Sequence, residues 1–233
     1  MIVGNGVIAK ACADVDHDEV LIFASGVSNS RENRITEYER EKKLFVKTIE
    51  GCGLNKLIYF STCSVIDPSL SESSYVKFKL EMEEYALNAH PNVLILRLPQ
   101  VLGYSNNQSQ LGNFLYDAIE NEKVFNLYTN ACRYLMLAED LKVIVSVLIE
   151  HGKQNHIYNV AYSNRSKIQE IVQLFELNLM KKAKFNKVDK GECYTIDNAD
   201  FIQLIDENKQ LHLNSKTSQI IEKFVFGKKM IKT

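Results

Sequence analysis

The sequence lacks a surplus of basic charge. Lys and Arg total 28 against 29 Asp and Glu, for a net charge of −1. A general nucleic-acid or anionic-membrane binder needs surplus Lys and Arg, so the balance argues against both. No uninterrupted apolar run is long enough to span a bilayer. The opening MIVGNGVIAKA has no basic segment and no cleavage site, so no signal peptide is expected there. Cysteine is sparse, with five residues at 12, 52, 63, 132 and 193, an odd number at wide spacings without a CxxC. That argues against a zinc knuckle or redox pair and predicts unpaired thiols in a reducing, cytoplasmic compartment. The five histidines (17, 90, 151, 156 and 212) form no HxxxH or HxH, so no metal site is expected. Neither Ser61 nor Ser64 sits in a G-x-S-x-G elbow, which removes a hydrolase triad. Internal repeats and low-complexity linkers are also lacking.

What is present is globular. The 233 residues are 45% hydrophobic and 24% charged, enough for one domain, or one domain and a small lobe. Short apolar runs occur at Met1–Val3, Val20–Ala24, Lys56–Ser61, Val93–Leu98 (stopped by Pro99) and His156–Val160. They are apolar on both faces and read as buried strands. Between and after them lie helical patterns at Val7–Val15, Thr36–Glu50, Tyr75–Ala89, Gln110–Glu120, Ala138–Glu150 and Ser166–Met180. In the second of these, Thr36 is the expected N-cap and Gly51 the stop. Strands alternating with helices predict an α/β fold with a doubly wound parallel sheet. The run Arg31–Lys43 alternates in charge and reads as a solvated helix face. Lys181–Lys190 reads as a loop or solvated face, the basic tail Lys228–Thr233 as frayed, and the apolar stripe of Leu141–Ile149 as core.

Gly4-Asn5-Gly6-Val7-Ile8-Ala9 fits G-x-G-x-x-A directly after a strand and opening a helix. The first glycine permits a tight turn and the second lets a pyrophosphate approach the backbone. The small third residue lets helix and strand pack closely. A nucleotide site is the functional reading, and a plain tight turn the structural one. An acidic residue is expected roughly 20 residues on, to hold the adenosine ribose. The next run instead ends Phe23-Ala-Ser-Gly-Val-Ser-Asn-Ser-Arg31, and Asp14, Asp16 and Asp18 come before it, in a solvated turn. Two readings compete. Either this is the second strand, with Ser25, Ser28 or Arg31 facing a ribose or its phosphate, or the usual second and third strands are absent.

Tyr75-Val-Lys-Phe-Lys79 is Y-x-x-x-K at a helix start, so both heads face one cleft. An ammonium beside a phenol lowers its pKa, which would suit Tyr75 to proton transfer near neutral pH. Thr62 lies 13 residues earlier, past the third apolar run, placed to hold a substrate oxygen beside Tyr75.

With these motifs in this order, the chain resembles the extended short-chain dehydrogenase/reductases, in their nucleotide-sugar epimerase/dehydratase/reductase branch. Tyr-Phe-Ser-Thr-Cys-Ser-Val-Ile-Asp67, Leu96-Arg-Leu-Pro-Gln-Val-Leu-Gly103, Arg133-Tyr-Leu-Met-Leu-Ala-Glu-Asp140 and Ile157-Tyr-Asn-Val160 resemble its successive segments. The resemblance implies a Rossmann-like domain over 1–165 and a small C-terminal substrate lobe over most of 166–233, with segments near 100–135 contributing to the lobe. It implies NAD or NADP as cofactor and a nucleotide sugar as substrate. Thr62 would orient the oxygen, Tyr75 would be acid/base, and Lys79 would tune Tyr75 and hold the nicotinamide ribose. Gly4, Asn5, Gly6, Val7, Ile8, Ala24, Ser25, Gly26, Pro99 and Val101 would lie along the cofactor. Cys63, Ser64, Gln100, Asn126 and Arg133 would face the substrate, with Arg133 either on its phosphate or paired with Glu139 or Asp140. The family's homodimer would pair the helices Thr36–Glu50 and Tyr75–Ala89.

The first half is short for that family. The helix Thr36–Glu50 leads directly into the Ser-Thr strand, an order that favours the reading in which two edge strands are missing. The adenosine side of the crevice should then lack a wall. Cys63 stands where dehydratases place an acidic or small residue, which argues against dehydration, and it reads more simply as a buried thiol. The expected function is an NAD(P)-dependent reductase or epimerase of a nucleotide-linked sugar, for a bacterial surface polysaccharide. The alternatives are a non-catalytic nucleotide or nucleotide-sugar binding protein of the same fold and a structural partner in a biosynthetic complex.

Overall fold

The computed structural model describes residues 1–15, 19–30, 32–50, 53, 56–208 and 216–232. Expectations on Asp16, His17, Asp18, Arg31, Gly51, Cys52, His212 and Thr233 lie outside the described residues. In chain order the elements are β1 (Ile2–Val3), α1 (Val7–Ala11), β2 (Val20–Phe23), α2 (Ile35–Glu50), β3 (Lys56–Thr62), α3 (Ser74–Ala89), β4 (Val93–Leu98), β5 (Gln100–Leu102), α4 (Leu111–Glu120), β6 (Val124–Tyr128), β7 (Cys132–Arg133), β8 (Leu135–Leu137), α5 (Asp140–His151), β9 (His156–Asn159), β10 (Ser166–Lys167), α6 (Ile168–Leu179), β11 (Lys184–Val188), α7 (Ala199–Glu207) and α8 (Thr217–Lys232). Among the described residues no helix is long and apolar enough to cross a membrane.

The five apolar runs of the sequence form one parallel sheet in the order β1-β2-β3-β4-β9. Alternate side chains point to opposite faces. Leu21, Phe23, Leu57, Tyr59, Val93 and Ile95 pack under α2 and α3. Val20, Ile22, Ile58, Phe60, Leu94 and Leu96 pack on the other face with Leu141, Ile144, Val145 and Leu148 of α5. The sheet is therefore covered on both faces, as strands apolar on both faces require.

Strand β1 pairs directly with β2 (Ile2↔Ile22, Val3↔Phe23) and ends the sheet on that side. Residues 20–23 thus occupy the place next to the first strand, and no strand lies beyond β1 among the described residues. The reading with two missing edge strands describes the observed order.

The second half of the chain builds on the same core. Ile171, Val172 and Phe175 of α6 and Ile220, Ile221 and Phe224 of α8 are buried with Leu115 and Ile119 of α4. Three short ribbons complete it: β5 with β8 and β6 with β11, both parallel, and β7 with β10, antiparallel.

Several local expectations are corrected. Within Lys181–Lys190, Lys184–Val188 form a strand rather than a loop, tied to β6 by Phe185 packing on Phe125 at 5.8 Å, while Lys184, Asn186 and Lys187 stay exposed as a solvated face. The tail is not frayed. Residues 228–232 continue α8, and Lys228 Nζ donates to the Ser105 carbonyl at 2.7 Å. Helix α1 stops at Ala11 rather than Val15, and α2 begins one residue before Thr36, which is therefore not its cap. Cys132 and Cys193 are not unpaired. They form a disulfide, 61 residues apart in sequence with Cα atoms 4.7 Å apart. Spacing could not show this, because it depends on the chain after β11 returning to β7, where the Cys132 N–H donates to the Glu192 carbonyl. Cys12 and Cys63 are free and buried.

Candidate functional site

The site lies at the carboxyl ends of the sheet strands, where crevices of parallel sheets collect functional groups. The turn after β1 is its floor. Gly4 has φ +135°, and a Cβ there would stand 2.4 Å from the Ala24 carbonyl oxygen. Glycine is therefore required for β1 to turn against the end of β2. Gly4→Ala is expected to lower stability by about 1–3 kcal/mol, read from the denaturant midpoint. Gly6 caps α1, and nothing lies within 4 Å of where its Cβ would be. Ala9 is buried, as close packing of helix and strand needs.

A cavity of about 260 Å³ runs from this turn to α3. Gly6, Val7 and Ile8 line it, followed by Ala24 and Gly26 after β2, Thr62 and Ser64 after β3, Tyr75 and Lys79 of α3, and Pro99, Gln100 and Val101. Gly4, Asn5 and Ser25 do not line it, and Gly4 acts from behind by shaping the turn. Ser28, Ser105, Asn107 and Ser109 also line it, with Asn107 Nδ2 donating to Ser28 Oγ at 3.2 Å across the opening. A second cavity of about 500 Å³ shares Ser30, Ser64, Gln100 and Ser109 with the first and is lined by Asn126, Arg133, Asp67 and Tyr194. The two therefore meet beside Thr62.

Helix α3 is started by Ser73, whose Oγ accepts from the Val76 N–H at 3.2 Å. This places Tyr75 in the first turn and Lys79 one turn later on the same face. The Thr62 hydroxyl near the Tyr75 phenol favours phenolate. Burial opposes it and wins. With Glu41 and Tyr38 adding to the effect, the phenol is held well above its ordinary value of 10. The expected lowering by Lys79 is thus corrected in the ligand-free protein. The Lys79 ammonium is turned to Glu41 Oε1 at 2.7 Å, with the two side chains 3% and 0% exposed, and also donates to the Tyr59 hydroxyl at 3.1 Å.

Glu41 is the residue that the charge pattern hid. It lies within the run read as a solvated face, yet it is buried on one stripe of α2 with Tyr38 and Phe45. That i, i+3, i+7 spacing was the available signal.

On the substrate side, Arg133 pairs with Asp67 at 3.7 Å, not with Glu139 or Asp140. Asp67 is buried and accepts from the Ser69 N–H and Oγ. Asp140 instead accepts from the Tyr162 hydroxyl at 3.1 Å. Cys63 does not open to the larger cavity. Its thiol donates to the Arg97 carbonyl at 3.1 Å, and burial pushes its pKa far up, so it is no nucleophile.

These residues fit the nicotinamide and pyrophosphate half of a dinucleotide. The turn is open above Gly6, and one cavity joins it to Tyr75 and Lys79. On the adenosine side β1 is the last strand, and no carboxylate follows β2 until Glu32, which is engaged by Arg34 at 2.8 Å.

Comparison with known proteins agrees with this architecture. A search of curated protein sequences finds no significant match. Among solved structures, the chain is similar to a UDP-glucuronic acid 4-epimerase from Bacillus cereus in complex with UDP-glucuronic acid and NAD. The TM-score is 0.73 at 18% identity, covering 97% of this chain and 79% of that one. A dTDP-glucose 4,6-dehydratase from Bacillus anthracis in complex with NAD gives 0.73 at 17% identity, covering 91% and 73%. A dTDP-glucose 4,6-dehydratase from Streptomyces venezuelae gives 0.75 at 13%, covering 96% and 77%. At such identities the likeness is one of fold. The family model described as "NAD dependent epimerase/dehydratase family" matches residues 2–161, the span that carries the glycine turn, Thr62, Tyr75 and Lys79. The chain belongs to the NAD-dependent epimerase/dehydratase family.

Proposed function

We propose that the protein is a cytoplasmic NAD(P)-dependent reductase or epimerase of a nucleotide-linked sugar, serving surface-polysaccharide synthesis. The observation that carries this reading is the meeting of two cavities at Ser64 and Gln100, beside Thr62. One cavity runs from the glycine turn and the other toward Arg133, so a cofactor and a sugar can approach one another there.

Bound in the first cavity along Gly6–Ile8, Pro99 and Val101, the nicotinamide would supply or accept hydride. The chain's own groups do the rest. Thr62 orients the sugar oxygen, Tyr75 exchanges a proton with it, and Lys79 lies within reach of a ribose hydroxyl. Arg133 faces the second cavity, where its guanidinium can exchange Asp67 for substrate phosphate. In this reading residues 1–165 are the cofactor and catalytic domain, and most of 166–233 joins segments near 100–135 as the substrate lobe. A homodimer through α2 and α3 belongs to the same reading. The outer faces of those helices carry Lys42–Glu81 at 2.6 Å and Lys43–Glu39 at 3.8 Å, so polar contacts would dominate it.

The edge position of β1 favours a second reading, a nucleotide-sugar binding protein without turnover. Fluorescence titration with NADH and NADPH separates the two. The enzyme reading expects one of them to bind and to be oxidised on adding a keto-sugar nucleotide. Binding of neither at millimolar concentration defeats it. Arg133→Ala is expected to raise KM for the sugar nucleotide about tenfold or more with little change in cofactor affinity.

A further inference from the structure

A buried acid stands where the lysine of the cleft points. Glu41 has no exposed surface. Its Oε1 accepts from Lys79 Nζ at 2.7 Å and from the Tyr59 hydroxyl at 2.8 Å, and its Oε2 accepts from the Val27 N–H at 2.6 Å. Gly26 leaves room for the pair, since a Cβ there would lie 2.9 Å from Lys79 Nζ and 3.3 Å from Glu41 Oε1. Opposite charges this close largely cancel one another's field at a third group. The phenol of Tyr75 therefore does not sit under an uncompensated cation. The groups around it are Tyr38 and Glu41 of α2, Tyr59 and Thr62 of β3, and Lys79 of α3. Farther along α3, Glu83 is held by Arg97 of β4.

We propose that Glu41 is a positioning residue which, by holding the Lys79 ammonium, keeps Tyr75 in its proton-bearing form and fits the site to carbonyl reduction. This rests on the enzyme reading above and goes further by choosing between its reactions. In reduction, Tyr75 gives its proton to the carbonyl oxygen while the carbonyl carbon receives hydride from the reduced nicotinamide. The O–H bond of the phenol breaks and an O–H bond of the product alcohol forms. The tyrosinate left behind regains a proton from water entering the cavity. A nicotinamide-dependent epimerisation must begin by removing a proton from a sugar hydroxyl, and a protonated phenol cannot accept it. The phenol pKa is raised first by burial, and the Glu41 charge adds to it in the same direction.

The test follows the proton rather than turnover. Ring-labelled tyrosine is titrated by NMR in the ligand-free full chain, with Tyr75→Phe assigning the signal. In the wild type, Tyr75 is expected to stay protonated through pH 10, the ordinary phenol value. In Glu41→Gln the freed ammonium should lower the phenol's pKa by about 1–3 units relative to the wild type. Gly26→Ala crowds the pair without removing the carboxylate, and a shift in the same direction is expected. It serves as the second variant if Glu41→Gln does not fold. A wild-type phenol that titrates below 10 overturns the proposal, as does a Tyr75 titration that does not move downward in any folded variant. The reduction rate should mirror the titration, staying flat to pH 10 in the wild type and falling above the lowered pKa in the variants. If no cofactor binds, the enzyme reading fails in its own titration, while the NMR result still decides what Glu41 does to Tyr75.

Discussion

Tyr75→Phe should reduce turnover by about 10²–10⁴-fold, the usual contribution of a positioned proton donor or acceptor. The change removes one oxygen and keeps the ring that packs with Val76 and Phe78 between α2, α3 and the sheet. Stability and cofactor affinity should therefore change little. The loss should fall on kcat more than on KM, because the phenol's proton is used in the reaction and not in holding the nucleotide. Fluorescence titration and steady-state rates on one preparation check this. If turnover survives within a few-fold, Tyr75 is not the acid and the reading of the cleft is wrong.

Among stability changes, Glu83→Ala should be the most damaging of those considered. Glu83 receives Arg97 through two parallel bonds, Nε to Oε1 at 2.9 Å and Nη2 to Oε2 at 2.6 Å, and accepts from Ser61 Oγ as well. It thereby ties α3 to both β3 and β4. Its side chain is 4% exposed and that of Arg97 is 19% exposed. Removing the carboxylate strands a largely buried guanidinium, a change that typically costs about 3–5 kcal/mol. A Glu83→Met/Arg97→Met double variant should recover much of the loss, since apolar groups of similar volume leave no uncompensated charge. Urea midpoints at unchanged slope would show both effects. A loss under about 1 kcal/mol, the value of an exposed pair, would mean that water reaches Arg97 far more freely than its packing indicates.

The sheet was legible in the sequence because its five strands are apolar on both faces, and that pattern needs no partner to be recognised. The unusual strand order was legible too, through the short stretch between Ala9 and Val20 and the helix that leads straight into Ser61-Thr62. The lobe was less so. Lys184–Val188 has exposed Lys184, Asn186 and Lys187 around a single packed Phe185, and its pairing with Val124–Tyr128 is long-range. Helix α8 was hidden by its lysines, although Ile220, Ile221, Phe224 and Val225 are buried along one side. At the site, Thr62, Tyr75 and Lys79 were legible as a spaced motif, whereas Asp67 and Tyr194 are brought to the second cavity only by the fold. The electrostatics ran opposite to the motif's suggestion. Spacing placed a lysine near a phenol, but it could not show that a carboxylate from α2 would reach that lysine first.

The truncated sheet also bears on self-association. An exposed strand edge offers unpaired N–H and C=O groups to any passing chain, and long flat edges invite fibrous aggregation. Here β1 has only two residues, Ile2 and Val3. At the opposite edge, β9 meets the start of α7 through side chains, Asp200 with His156 at 2.9 Å and the Asp197 carbonyl accepting from Asn159 Nδ2 at 2.7 Å. A sheet shortened to five strands thus presents one edge too brief to template a partner and one flanked by side-chain contacts to α7.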